Sequence, residues 1–195
     1  GLHIARQDSI PMILFIGQVQ RDAREREAFQ EVEYRRAFTE VAKWVAEIDD
    51  ARRIPEFVTR AFAVATSGRP GPVVLALPED MLTDAVETVE AKAYTPVEAH
   101  PGRRQVEEFA SLLEKAERPL VILGGTRWSD GSVAAFTAFA ERWSLPVSCS
   151  FRRQMLFDHQ HPNYAGDSGI GINPALGKEI READLVLLLG GRYSE

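Results

Sequence analysis

Short, unbroken apolar runs recur along the chain, each bounded by glycine, proline or polar residues. They cover residues 12–16, 72–77, 119–123, 145–149 and 184–189. Strands of a parallel sheet are buried on both faces, and therefore read as continuous apolar runs rather than as an alternation. The pattern predicts parallel strands in both halves of the chain.

Apolar residues at helical spacing lie between these runs. The predicted helices cover residues 38–48, 54–65, 106–113, 134–143 and 174–182. Gly68 is suited to end the second helix, and Asn173 followed by Pro174 is suited to start the last. Because alternating helices and buried strands are typical of an open sheet, we predict an α/β fold. It would have parallel sheets with flanking helices and a Rossmann-like second half.

The stretch over residues 83–104 shows little periodicity and holds Pro96, Pro101 and several glutamates. Loops beyond ~12–15 residues are uncommon within one domain. We therefore expect a first domain over 1–85, a linker over 86–102 and a second domain over 103–195. The chain has no initiator Met and ends just after an apolar run. Since a core strand usually leads into a covering helix, we expect a piece of a longer enzyme.

Composition narrows the class of protein. The 195 residues are 45% hydrophobic and 27% charged, with a net charge of −6. This balance excludes a fully disordered chain and lacks the basic footprint of a nucleic-acid binder. No apolar run approaches the ~20 residues of a membrane helix, and no signal peptide is visible. A single cysteine, Cys149, cannot form an internal disulfide, so we expect a cytoplasmic location.

Glycine pairs follow two of the predicted strands. Gly124-Gly125 follows residues 119–123, and Gly190-Gly191-Arg192 follows residues 184–189. Open α/β sheets bind nucleotide phosphates at the carboxyl ends of their strands, and an arginine there can pair with a phosphate. Tight turns after the strands explain the glycines equally well. The G-x-G-x-x-G fingerprint of a dinucleotide-binding dehydrogenase is absent.

The region 151–171, predicted as a polar, glycine-rich loop, holds weaker candidates. Asp158, His159 and His161 lie close together, but a metal site needs further ligands at suitable spacing, so a surface loop is favoured. The run 166–169 (Gly-Asp-Ser-Gly) matches a serine-protease loop by chance, because the α/β pattern excludes that fold. Residues 169–174 lead into a predicted helix N-terminus, which is either an anion site or an ordinary helix start capped by Asn173.

In the first half, Gln18 follows a buried strand, where an amide can orient a polar ligand. Gln30 lies beyond the charged segment 20–27, within a region predicted as an exposed loop or a solvated helix. Lys43 lies within the helix predicted over 38–48, beside Trp44. Without a ligand role, the glutamine would be a surface hydrogen-bonding residue, and Lys43 would extend its aliphatic stem over apolar neighbours.

Several short motifs occur together and in a recognisable order. They are Asp8-Ser9-Ile10-Pro11, Gly17-Gln18-Val19, Ala28-Phe29-Gln30-Glu31, Lys43-Trp44, 66–73 (TSGRPGPV), 77–80 (LPED), His161-Pro162-Asn163-Tyr164-Ala165-Gly166 and 190–193 (GGRY). In this combination the chain resembles thiamine-diphosphate enzymes of the acetolactate synthase group. The resemblance covers nearly the whole chain.

The resemblance implies a 2-keto acid decarboxylase or carboligase, acting on pyruvate or a related acid. It assigns residues 1–85 to the C-terminal half of a pyrimidine-binding domain and residues 103–195 to a central domain. The family's activating glutamate and its magnesium- and diphosphate-binding motif would then lie outside the chain. No catalytic residue is expected within it, and the fragment alone should be inactive. The family's cofactor lies between subunits, which implies a homodimer or homotetramer.

The resemblance also implies site residues. Gln18, Phe29, Gln30 and Lys43 match positions that border the cofactor and substrate channel. FAD on the central domain would lie near Gly124, Gly125, Gly190 and Arg192. The chain departs from the acetolactate synthase pattern at Glu79, where those enzymes usually have lysine, and in the charged segment 20–27. A nucleotide-binding or purely structural module without catalysis is the alternative.

Overall fold

The computed structural model describes residues 1–87 and 89–192. The chain divides into two compact units, Gly1–Glu98 and Ala99–Glu195. Each unit has a parallel sheet with flanking helices, so the predicted α/β fold class is confirmed. Within the described ranges, no helix is long and apolar enough to cross a membrane.

The first unit is built on a three-stranded sheet in the order β1-β3-β2. Its strands are β1 (Met12–Gln18), β2 (Trp44–Glu47) and β3 (Pro72–Pro78), and its helices are α1 (Leu2–Gln7), α2 (Tyr34–Phe38) and α3 (Ile54–Thr66). Both outer strands run parallel to β3, with Gln18 beside Pro78 and Glu47 beside Ala76. Ala61 and Ala65 of α3 are buried in the same core as the centre of β3. The carboxyl ends of all the strands therefore share one edge.

The prediction of a helix over residues 38–48 is wrong. Helix α2 ends at Phe38, and Trp44–Glu47 forms the edge strand β2. The backbone of this segment pairs with β3 at both ends, through Lys43 N to Pro72 O (2.7 Å) and Ile48 N to Ala76 O (3.0 Å). Sheet pairing overrides the helical spacing because strand preference depends mainly on the neighbours that a segment packs against.

The second unit carries a four-stranded parallel sheet in the order β6-β5-β4-β7. Its strands are β4 (Pro119–Leu123), β5 (Val147–Cys149), β6 (Tyr164–Asp167) and β7 (Leu185–Leu189), and its helices are α4 (Arg103–Lys115), α5 (Asp130–Trp143) and α6 (Pro174–Glu182). The chain moves outward from β4 through β5 to β6, then returns to place β7 on the other side of β4. The strand order therefore reverses between β4 and β7.

Two local predictions in this unit have opposite outcomes. Asn173 caps α6 as predicted, its side-chain oxygen accepting a hydrogen bond from Ala175 N at 2.9 Å. The loop predicted over residues 151–171 instead contains β6, which pairs with β5 across an irregularity between Val147 and Ser148. This strand was missed because it is short, half-buried and glycine-containing, and so has no apolar run.

Candidate functional site

The carboxyl edge of the first unit holds Gln18, the last residue of β1. Its side chain is buried, with 6% of the residue exposed. Nε2 donates to Val32 O at 2.9 Å and to Glu47 Oε2 at 3.4 Å, while Oε1 accepts from Val19 N at 3.0 Å. The amide thereby ties β1 to β2 and to the segment that follows residue 28, which makes Gln18 an anchor of this edge.

Phe29 and Gln30 lie in the segment that Gln18 anchors. Phe29 is 89% exposed, so its ring is accessible to a ligand or partner at this edge. Gln30 is exposed and has a left-handed backbone, with φ +66°. Glu25 and Glu27 also have positive φ, at +61° and +55°. Non-glycine residues in this region cost on the order of 1 kcal/mol or more each, so their surroundings must hold them.

Glu31 supplies part of that hold, although sequence reasoning singled out only its neighbours Phe29 and Gln30. Its Oε1 accepts from Glu25 N at 2.5 Å, and its Oε2 accepts from Ala28 N at 3.1 Å. Backbone hydrogen bonds, the one from Glu25 first, hold the pKa of Glu31 below its ordinary value. A lone carboxylate in a charged, non-periodic segment gave no sequence signal for this role.

Ion pairs fix the charged segment 20–27 to the same edge. Arg21 Nε lies 2.7 Å from Asp80 Oδ2, and Arg21 Nη1 lies 2.8 Å from Asp84 Oδ2. The hydrogen bonds from Arg21 lower the pKa of Asp80. Arg24 pairs with Glu47, whose pKa is raised chiefly by burial. The segment that departs from the acetolactate synthase pattern is thus an ordered part of this edge.

The structure brings Gln18 into the same region as the Phe29–Gln30 segment, but places Lys43 elsewhere. Lys43 precedes β2 and bonds to Pro72 at the amino end of β3, whereas Gln18 lies beside Pro78. At ~3.3 Å per residue, the two ends are roughly 20 Å apart. Lys43 Nζ donates to Val64 O and, at 2.7 Å, to Ser67 O, so it caps the end of α3. Burial lowers the pKa of Lys43.

In the second unit, the predicted glycines meet at one sheet edge. Leu123 pairs with Leu189, so Gly124 and Gly190 follow adjacent strands at the point where the strand order reverses. A Cβ on Gly124 would lie 2.8 Å from Gly191 Cα, and one on Gly125 would overlap the backbone of Gly190. The space that these glycines leave is occupied by the opposite loop, so they permit close backbone packing.

Hydrogen bonds reinforce this packing. Gly124 N donates to Leu189 O at 2.9 Å, and Trp128 Nε1 donates to Gly124 O at 2.7 Å. Gly125 and Gly190 have φ values of +76° and +70°, in the left-handed region that favours glycine. Arg192 is exposed directly after this turn, at the carboxyl edge predicted for it.

The remaining candidates of this unit have structural partners. His161 Nε2 lies 3.1 Å from Glu141 Oε1, and its Nδ1 accepts from Asn163 N at 3.1 Å. Asn163 Nδ2 donates to Ala140 O and Leu145 O, closing the end of α5. Ser168 Oγ donates to Cys149 O at 3.2 Å. Across residues 1–87 and 89–192, no group of three or more His, Cys, Asp or Glu side chains could hold a metal ion.

Comparison with known proteins shows what the chain is similar to. Residues 106–195 match the family described as "Thiamine pyrophosphate enzyme, central domain". The chain is 30% identical over 199 residues to an acetolactate synthase large subunit of Lactococcus lactis, covering 100% of this chain and 35% of that protein. It is 29% identical over 205 residues to an acetolactate synthase of Arthrospira platensis, with the same coverage of 100% and 35%.

A third relative carries a different name. The chain is 29% identical over 198 residues to a glyoxylate carboligase of Escherichia coli O157:H7, covering 100% of this chain and 33% of that protein. The chain thus spans about a third of the length of the curated relatives that it matches. The resemblance found in the sequence is confirmed as a similarity: residues 106–195 match the central domain of thiamine pyrophosphate enzymes, and the whole chain is similar to acetolactate synthases.

Proposed function

We propose that the chain is part of a thiamine-diphosphate-dependent 2-keto acid decarboxylase or carboligase. Its substrate would be pyruvate or a related 2-keto acid. Similarity to acetolactate synthases along the whole chain carries the proposal, and it does not favour a module without catalysis. Thiamine diphosphate, when bound, supplies the nucleophilic carbon and takes up the electrons released on decarboxylation.

The first unit would contribute one wall of the cofactor and substrate site. Phe29 and Gln30 are exposed at the carboxyl edge of the sheet, where open α/β sheets bind ligands. An exposed aromatic ring can pack on a flat ligand, and the Gln30 amide can hydrogen-bond to a polar one. Gln18 would act through this segment, because its own amide is bonded to protein groups. The channel role of Lys43 remains a prediction.

The groups that complete the site would come from outside this chain. We place the magnesium and diphosphate ligands, and the residue that activates the cofactor, in other parts of a longer protein. That protein would be about three times this length, because the chain covers 35% of each of two relatives. That protein would be a homodimer or homotetramer. A cytoplasmic location agrees with Cys149, a buried free thiol whose pKa burial raises to about 11.

The test uses the intact protein that contains this chain. Release of CO2 from pyruvate and from glyoxylate is measured with thiamine diphosphate and Mg²⁺ present, and again with each omitted. We expect cofactor-dependent turnover, reduced at least tenfold by Phe29→Ala or Gln30→Ala. Phe62→Ala is the matched control, because Phe62 is 51% exposed on α3. Absence of cofactor-dependent turnover of either acid would refute the proposal.

A nucleotide such as FAD on the second unit is the second candidate. The β4 and β7 ends flank the reversal of strand order, where open α/β sheets bind nucleotides. Arg127, Arg152 and Arg192 lie in loops that follow β4, β5 and β7, and guanidinium groups bind phosphates well. We expect flavin absorbance in the purified protein, and at least tenfold weaker flavin binding in Arg192→Ala than in Arg142→Ala. Equal binding by both variants would exclude a role for Arg192.

A further inference from the structure

Residues 28–31 form a tight turn that is closed twice by its end residues. Glu31 N donates to Ala28 O at 3.0 Å, and Ala28 N donates to Glu31 Oε2 at 3.1 Å. Phe29 and Gln30 are the central residues of this turn. Gln30 has φ +66°, in the left-handed region where glycine is usual. The two side chains are presented by a turn that their sequence does not favour.

The second oxygen of Glu31 extends this closure to the preceding segment. Oε1 accepts from Glu25 N at 2.5 Å, in a stretch where Glu25 and Glu27 both have positive φ. One carboxylate therefore bonds to N–H groups on both sides of a strained stretch. A carboxylate is suited to this because each of its oxygens accepts hydrogen bonds and its charge strengthens them. A glutamine at this position would keep only one accepting oxygen.

We propose that Glu31 is a positioning residue, which holds Phe29 and Gln30 in the orientation that the reaction requires. The inference rests on the proposed function, and adds to it a residue that does not itself face the ligand. Gln18 holds the same segment from the sheet, through Val32 O at 2.9 Å. Glu31 holds it through bonds to backbone N–H groups of the segment itself. Loss of Glu31 should loosen the turn while the sheet and core remain intact.

The first experiment measures the turn directly and needs no activity. Amide hydrogen exchange is compared between wild type, Glu31→Gln and the control Glu40→Gln. In the described part of the chain, Glu40 is exposed and makes no hydrogen bond or ion pair. We expect exchange at one or both of the Glu25 and Ala28 amides to accelerate at least tenfold in Glu31→Gln only, because glutamine keeps a single accepting oxygen. Unchanged exchange at both amides would overturn the inference.

The second experiment asks whether Glu31 acts through its neighbours. In the intact protein, kcat and KM are measured for Glu31→Gln, for Phe29→Ala/Gln30→Ala, and for the triple variant. We expect Glu31→Gln to lower kcat about tenfold in the wild-type background and less than twofold when Phe29 and Gln30 are already removed. Equal losses in both backgrounds would indicate a general structural role and overturn the inference.

The two experiments separate this inference from the proposed function. If either the Glu25 or the Ala28 amide exchanges faster but no 2-keto acid is turned over, the proposed function is refuted while the hold of Glu31 on the turn is supported. If turnover is observed and Glu31→Gln matches wild type in both assays, the proposed function is supported and the positioning role is refuted.

Discussion

The carboxyl edge of each sheet is stabilised by a different kind of interaction. In the first unit the edge is fixed by charge: Arg21 and Arg24 pair with carboxylates at the strand ends, and Glu31 collects backbone N–H groups. In the second unit the edge is fixed by backbone packing, with Gly124 and Gly190 in adjacent turns. Both edges lie where open α/β folds bind ligands.

The difference shows two ways of shaping a binding edge. Charged side chains can hold a non-periodic segment in a strained form, and so present Phe29 to solvent. Their contribution weakens with salt and acid, because exposed pairs are screened and carboxylates protonate. Glycine packing is independent of both conditions, but is intolerant of a single methyl group. The two edges should therefore fail under different perturbations.

The largest effect is expected at the glycine edge. Gly125→Ala adds a Cβ that overlaps the Gly190 backbone, at a residue with φ +76°. We expect the free energy of unfolding to fall by about 2–4 kcal/mol, which combines overpacking with backbone strain. Gly171→Ala is the control, because φ is +78° there and nothing lies within 4 Å of the added Cβ. Denaturant unfolding should show a loss of only ~1 kcal/mol for Gly171→Ala, and equal losses would disprove the packing argument.

The anchor at the charged edge should have the next largest effect. Gln18→Leu keeps a similar side-chain volume but removes the donor to Val32 O and to Glu47 Oε2. A hydrogen bond contributes about 0.5–1.5 kcal/mol, so for these two bonds we expect a loss of about 1–3 kcal/mol. Gln20→Leu, at an exposed neighbouring site, should change stability by less than ~0.5 kcal/mol. Similar unfolding midpoints for the two variants would show that Gln18 is not an anchor.

These two edges also show what the sequence could and could not predict. The glycine pairs were placed correctly at the ends of two strands, because the apolar runs that precede them are unbroken. The segment Trp44–Glu47 was misread because four residues of mixed exposure carry no clear period, and pairing with β3 decides their conformation. Lys43 was consequently assigned to a helix, and its cap on α3 was not foreseen.

The candidate site likewise contains residues that the sequence could identify and one that it could not. Phe29 and Gln30 were identified as site candidates by motif resemblance, which depends on residue identity and not on periodicity. Glu31 was not singled out although it belongs to the same motif, because its role depends on the path of the backbone around it. Contacts between a side chain and distant or irregular backbone leave no periodic signal in a sequence. They become visible only once the chain path is known.

The charged edge should respond to acid, whereas the glycine edge should not. The pKa values of Glu31 and Asp80 are lowered by hydrogen bonds, so their stabilisation is present above their ordinary pKa of about 4 and is lost as the pH falls through the folded values. The raised pKa of Glu47 acts in the opposite direction. We expect the protection of residues 20–31 from amide exchange, taken relative to the intrinsic exchange rate at each pH, to fall between about pH 5 and pH 3. The protection of Gly124 and Gly125 should change little.

A variant checks the cause of this acid response. Glu31→Gln combined with Asp80→Asn removes both carboxyl groups whose pKa values are lowered. The protection of residues 20–31 from amide exchange should therefore be low already near pH 5 in this variant, and should vary less with pH. Asp22→Asn with Glu40→Gln changes the charge equally at other exposed sites of the same unit, and should retain the wild-type pH dependence. A wild-type profile in the first variant would assign the acid response to other groups.

The smallest effect is expected at Lys43, which lies at the amino edge of the first sheet. Lys43→Met keeps the apolar stem that packs near Gly71 but removes the bonds to Val64 O and Ser67 O. Losing a cation at the end of a helix costs roughly 0.5–1 kcal/mol, so we expect a small fall in melting temperature with kcat/KM unchanged. Lys92→Met, on an exposed residue, is the control for the loss of charge. Because Lys43 and Gln18 are at opposite edges, a tenfold fall in kcat/KM for Lys43→Met alone would mean that the amino edge also faces the channel.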